Sequence, residues 1–331
     1  MNKTGKIILI IVSALLALVF LALCGFSAYM AYTYRDFYKN SSKGFKIPGL
    51  GLDGAVPQGF EYLPEIDTFL YTGYHKDGES PSMIFVMPQG GKGDARKIEL
   101  YNPDGTPFNG HVGGMTVYEE WLYIADGYGV AVFDLYDVLD NDGEATVISS
   151  FENDFEVAFI EAYNGILYVG NFYRAGDYET PKSHHMETPN GDKNTAMIYL
   201  HEINNLSGLP IRENPRQALS ITGAIQGMAF GDNGEIFLSS SWGLSTSKIY
   251  VYDRNKISTD FVRLDEKPLP IEIGYLDSGC LIDVIEAPPM AEEIVYIDGN
   301  LYIMNESASM KYLFGKLMNG HWCYAYEYKA Y

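Results

Sequence analysis

Five times after Pro57 the chain repeats one local plan, and this recurrence limits its fold more than any other feature. The units are QGFEYLPEIDTFLYTGY from Gln58, GGMTVYEEWLYIADGY from Gly113, VAFIEAYNGILYVGNFY from Val157, QGMAFGDNGEIFLSSSW from Gln226 and EEIVYIDGNLYIMNES from Glu292. Each opens on small or polar residues and runs through a short apolar strand to an acidic or Asn/Gly turn. Each then returns along a second apolar strand that ends small or polar. Val/Ile/Tyr/Phe runs punctuated by Gly, Asp and Asn are the signature of strands, and almost no stretch here carries helical apolar spacing. Further strand candidates follow within the units, among them MIFVM, GVAVFDL, MIYLHEI and KIYVYD.

Four strands per unit, repeated five times, predict an all-β chain closed radially as a β-propeller, an arrangement that leaves only short protected edges. The units recur at irregular intervals of roughly 45 to 70 residues, as insertions stretch the longer ones. A sixth blade would have to come from 261–287, where IEIGYL and CLIDVIEA supply strand-like runs. A β-sandwich is the competing architecture.

The N-terminus follows a different rule. Residues 7–34 contain no charged side chain. As a helix at 1.5 Å per residue this run is about 42 Å long, enough for a ~30 Å hydrocarbon layer and its interface. Tyr29, Tyr32 and Tyr34 cluster at its end, where amphipathic rings sit at headgroup level. The expected organisation is a short segment 1–6, a transmembrane signal anchor 7–34, a Gly/Pro tether 35–56 and a propeller 57–331. The alternatives are a cleaved signal peptide and a lipoprotein modified at Cys24, although Leu23 before that Cys is bulkier than such signals prefer. Arg35, Lys39, Lys43 and Lys46 outnumber Lys3 and Lys6 across the span, but long acidic domains translocate largely regardless of local charge. The expectation is therefore a single-pass protein of the cell membrane with its C-terminal domain extracytoplasmic.

Composition excludes several classes. With 43 acidic against 23 basic residues, and a net charge of −20, the chain lacks the basic face that nucleic acid requires. Its 27 Tyr, 17 Phe and 3 Trp are incompatible with disorder. Three Cys rule out a disulfide-dense scaffold and a four-Cys zinc ribbon, and leave Cys280 and Cys323 as a candidate pair. Gly49, Gly51 and Gly54 form a literal G-x-G-x-x-G, but flanking Pro48 and Pro57 deny it the strand and helix that a dinucleotide site needs. Asp140-Asn141-Asp142-Gly143 lacks the remaining spacing of a calcium loop and reads as a turn. There is no G-x-S-x-G elbow, H-E-x-x-H pair or P-loop.

HVGG at 111–114, NFYRAGDYETPKSHH at 171–185 and APPMAEEIVY at 287–296 carry a resemblance. The region beyond Pro57 resembles the propeller superfamily that includes gluconolactonase-like, NHL and quinoprotein-like proteins. It is most similar to membrane-anchored propellers of Gram-positive bacteria. The resemblance implies fold and location only, because lactonase-type metal ligands cannot be placed residue by residue.

In such a fold the start of each inner strand and the end of the next share one face of the disc. This gathers Gln58, His111, Glu156, Gln226, Glu292 and Glu293 with Asp126, Asn171, Ser240, Trp242, Asn305 and Glu306 at a channel mouth. Gly59, Gly113, Gly114 and Gly227 beside them would let backbones approach the axis. Oxygens with one imidazole suit a divalent cation, Ca2+ or Zn2+, for which Glu156, Asn171, Gln226 and Glu306 are the candidate ligands. The long insertion 174–195 leaves from the same face, and offers Arg174, Tyr178, Glu179, His184 and His185 as a recognition loop. Adjacent His184 and His185 in extended chain point to opposite sides, so one of them at most serves a single site.

Three functions remain open at this point. The first is a membrane-anchored module that recognises a small molecule, glycan or protein. The second is a metal-dependent hydrolase or lactonase with a channel cation and His111 as general base. The third is a cell-envelope scaffold.

Overall fold

A computed structural model of the chain describes residues 3–141, 143–312 and 320–329. From Ser41 onward these form five mainly antiparallel sheets arranged as the blades of a propeller, and a two-stranded ribbon, Met186–Glu187 with Lys193–Asn194, within the 174–195 insertion. The inner strands are Ala55–Leu63, Met115–Tyr118, Val157–Tyr163, Ile225–Phe230 and Ala291–Ile297, and each touches the inner strands on both sides, which closes the ring. The count is five. Ile271–Tyr275, read as material for a sixth blade, instead pairs parallel with Gln217–Ile221 on blade three, and Leu281–Ala287 is the outer strand of blade four.

Blade five holds the main departure from the sequence reading. Its strands run Ala291–Ile297, Asn300–Asn305, Trp322–Glu327 and then Ser41–Lys46. The segment expected to be a tether is thus the outermost strand, with Ser41 opposite Tyr326 and Lys46 opposite Trp322. The Tyr-rich strand Trp322–Glu327 is therefore the third of the blade, one strand further in. SSKGFK hides its role because an edge strand needs few inward apolar residues, and here only Phe45 points inward. Phe45 is buried against Phe60 and Phe69 of blade one. The first and last segments of the chain are therefore zipped by backbone hydrogen bonds, and the barrier to opening the ring includes breaking them.

Between each neighbouring pair of blades lies a separate apolar cluster. Tyr71, Tyr123, Tyr199 and Phe237, fully buried on second and third strands, fill three of them, with Tyr123 and Tyr199 sharing the cluster between blades two and three. The inner strands pack so closely that a side chain does not fit everywhere. A Cβ on Gly59 would sit 2.5 Å from Met115 N, and one on Gly114 2.7 Å from Ile160 N. The expectation that glycines admit close approach at the axis holds at these positions. Cys280 and Cys323 are both buried and free, the first between blades three and four and the second between blades five and one, so they do not pair.

Helix α1, Lys3–Thr33, is apolar and long enough to cross a membrane, and almost all its side chains are exposed. Only its last turns touch the propeller. Met30 and Tyr34, followed by Phe37 of the short helix α2 (Arg35–Lys39), are buried among side chains of blades four and five.

Candidate functional site

The mouth of the channel is a cavity of about 490 Å³, within the range of small-molecule sites. Four of the five inner strands carry an irregularity just inside it, at Pro57/Phe60, Val157/Phe159, Ile225/Gly227 and Ala291/Ile294. Such bulges re-aim side chains that strict alternation would turn into the blade interfaces. The result is that Gln58, His111, Glu156, Gln226, Glu292 and Glu306, all candidates from the sequence, line one space together with Tyr178 and Trp242.

One wall is acidic and hydrogen-bonded. The Tyr74 hydroxyl donates to Glu306 Oε1 at 3.2 Å, and Lys311 Nζ donates to the Tyr74 oxygen at 2.7 Å. His111 lies over the Tyr74 ring, with centroids 4.9 Å apart. Burial, helped by the nearby Lys311 charge, lowers the His111 pKa and favours the neutral imidazole. Glu292, 3% exposed, is pushed well above the carboxylate range by burial and then by the charges of Glu306 and Glu293. Burial raises Glu306 as well, against the pull of hydrogen bonds from Tyr312 and Tyr74.

The facing wall is aromatic. Phe172, Tyr178 and Trp242 pack edge-to-face or tilted, with centroids 5.4 to 6.0 Å apart. Arg174 lies 4.0 Å over the Trp242 ring while its Nε pairs with Asp177 at 2.8 Å.

Other candidates are placed elsewhere. Asn171 is spent on structure, since its Oδ1 accepts from Met197 N–H and its Nδ2 lies 2.9 Å from His184 Nδ1. His184 is fully buried, and its Nε2 meets Glu266 Oε1 at 3.0 Å. Burial lowers its pKa despite Glu266 and Asp154, so it serves to pin the 174–195 insertion rather than to meet a ligand. His185 lies on the outer side, 3.0 Å from Thr180 Oγ1. Glu179 closes a turn on Gly176 N–H and borders a side cavity of about 280 Å³ with Glu156. The Asp126 carboxyl lies against Gly110 beside the cavity, and its pKa is raised by burial. Among the described residues no three His, Cys, Asp or Glu side chains are gathered so that they could hold a metal. Of the donor set Glu156, Asn171, Gln226 and Glu306, Asn171 is committed elsewhere, while the other three line the cavity.

Below the mouth lies a cluster of which the sequence reading named only Glu293, and that at the mouth itself. Glu61, Glu161 and Glu293, from blades one, three and five, interact along the axis. Thr116 Oγ1 donates to Glu61 Oε2 at 2.9 Å, and Met228 N–H to Glu293 Oε1 at 3.0 Å. Burial lifts Glu61 to about 7, and lifts Glu161 and Glu293 well above the carboxylate range, with help from the charge of Glu61 on both and of Glu293 on Glu161. The signal was available, because Glu61, Thr116 and Glu161 fall at one position of the aligned units QGFE, GGMT and AFIE. Lys311 was missed because it lies beyond the repeat units, whereas Tyr74 ends its unit at the position that Trp242 holds in the fourth, and Phe172 directly follows Asn171, so the repeat carried a signal for both.

No family model matches the chain, and no curated protein matches it in sequence. Solved structures similar to it include the glutaminyl cyclase of Myxococcus xanthus, at 10% identity over 87% of this chain and 94% of that one, with a TM-score of 0.46. Another is the PQQ-bound aldose sugar dehydrogenase of Streptomyces coelicolor, at 14% identity over 80% and 76%, with a TM-score of 0.43. A third is a nidogen/laminin complex, at 11% over 80% and 84%, with a TM-score of 0.41. The narrower likeness to anchored Gram-positive propellers finds no support among them. What the sheets themselves establish is a five-bladed β-propeller that follows one long apolar N-terminal helix.

Proposed function

We propose that the protein is a membrane-anchored recognition module, with α1 as its single span and the propeller on the extracytoplasmic side, and that its mouth binds a small polyhydroxylated molecule or the end of a glycan. The observation that carries this reading is the lining of the 490 Å³ cavity. Two planar amides (Gln58, Gln226) and three carboxyl groups (Glu156, Glu292, Glu306) can each exchange hydrogen bonds with hydroxyls. Burial raises the Glu292 pKa, which favours the protonated form that donates as well as accepts. Trp242 and Phe172 offer flat apolar faces to the C–H side of a sugar ring. The metal-dependent alternative lacks an assembled donor set to build on.

Titration calorimetry of the full chain in detergent, against a panel of mono- and oligosaccharides, tests the proposal. Trp242→Ala should weaken binding on the order of tenfold, equivalent to about 1.4 kcal/mol. No binding to any saccharide, or binding that Trp242→Ala leaves unchanged, would overturn it.

A further inference from the structure

We infer that the ligand of the mouth carries a primary ammonium group seated against the Glu292 carboxyl, so that the cavity selects an amino sugar over its neutral parent. This inference rests on reading the mouth as a saccharide site.

Glu292 is the observation that points to it. Strand Ala291–Ile297 is irregular between Ala291 and Ile294, and its two consecutive glutamates are placed differently. Glu293 is 1% exposed, and its Oε1 accepts from Met228 N–H at 3.0 Å. Glu292 lines the mouth cavity at 3% exposure, and its carboxyl has no hydrogen-bond partner among the described residues. A buried polar group costs stability until a partner satisfies it, and here the partner has to come from the cavity.

Charge decides what kind of partner. The titratable groups around Glu292 are Glu293 beside it, Glu306 after the next strand, and Tyr74, Lys311 and Tyr312, which surround Glu306. His111 lies over the Tyr74 ring, and burial favours its neutral form. Lys311 is the one cationic side chain lining the cavity among the described residues. It donates to the Tyr74 oxygen at 2.7 Å and forms no ion pair with Glu292 or Glu306. On the facing wall, Arg174 is paired with Asp177. Burial, and for Glu292 the charges of Glu306 and Glu293 as well, holds these carboxyls toward the protonated form. A cation brought by the ligand lets Glu292 release its proton to solvent and accept a charge-assisted hydrogen bond.

Shape decides which cation. A bare metal ion draws oxygens from several side chains at once, and among the described residues no three His, Cys, Asp or Glu side chains are so gathered. An ammonium has three N–H donors and is satisfied by fewer carboxyls. Tyr178 and Trp242, on the aromatic side of the cavity, present ring faces that attract positive charge and pack against a C–H surface. Gln226 and Glu156 remain for hydroxyls. A hexosamine unites these three features on one ring.

Titration calorimetry of the full chain in detergent, at about pH 6.5 where such amines are protonated, compares glucosamine and galactosamine with glucose and galactose. The N-acetyl derivatives, in which the amine is an uncharged amide, complete the set. Each hexosamine should bind on the order of tenfold tighter than its two neutral counterparts. Glu292→Gln, which keeps the size and removes the charge, should cut that advantage to about threefold or less. Equal affinity for a hexosamine and its parent hexose, or an advantage that survives in Glu292→Gln, overturns the inference and leaves saccharide recognition standing. No binding of any of these sugars or of larger saccharides overturns that reading, and the inference with it.

Discussion

Neutralising Glu61 should stabilise the protein at alkaline pH and do almost nothing in acid. Burial raises this carboxyl from 4.5 to about 7, against hydrogen bonds from Tyr62 and Val117 N–H and from Thr116. A carboxyl whose folded pKa is raised favours the native state fully below its unfolded value, near 4.5. That contribution is lost as pH climbs through about 7. Each unit of difference is 1.36 kcal/mol, so the wild type gives up about 3 kcal/mol above pH 8 that Glu61→Gln retains. At roughly 2 °C per kcal/mol for a domain of this size, the variant should melt about 6 °C higher at pH 8.5. At pH 4.5, where both side chains are neutral, the two proteins should melt together. Differential scanning calorimetry of the pair across pH 4.5 to 8.5 reads the difference directly. Thr116→Val, which removes a donor to the ionised form, should move the crossover to higher pH. A Glu61→Gln difference that is the same at both ends of the range, or larger in acid, would refute the reasoning.

Three further outcomes follow from the packing. Phe45→Ala, on the outermost strand, should cost about 3–5 kcal/mol in chemical denaturation, as for a core aromatic, whereas a solvated tether residue would cost nothing measurable. Gly114→Ala should destabilise by about 1–3 kcal/mol, because Ile160 N belongs to a neighbouring inner strand that cannot move aside. Reductant should leave the melting temperature unchanged, since Cys280 and Cys323 are free. A reductant-sensitive melt would show that they pair.

Much of this architecture is set by local pattern. An uncharged run from 7 to 34 specifies a helix that excludes water, and the five strand–turn–strand units specify a radial sheet array. Because an inner strand begins where the next one ends, the units alone bring Gln58, His111, Glu156, Gln226, Glu292 and Glu306 to one face. Tertiary contacts decided the rest. Ser41–Lys46 becomes a strand only through pairing with Trp322–Glu327, some 280 residues away. Nothing in SSKGFK itself records that partner. Asn171 and His184 looked like ligands by residue type, but packing turned them toward each other and toward Glu266. Glu61, Glu161 and Glu293 acquire their shared electrostatics from ring closure, which brings blades one, three and five together at the axis. Periodicity is a property of neighbouring residues and can be read from the chain. Hydrogen-bond partners and burial are properties of distant ones, and they exist only once the ring has closed.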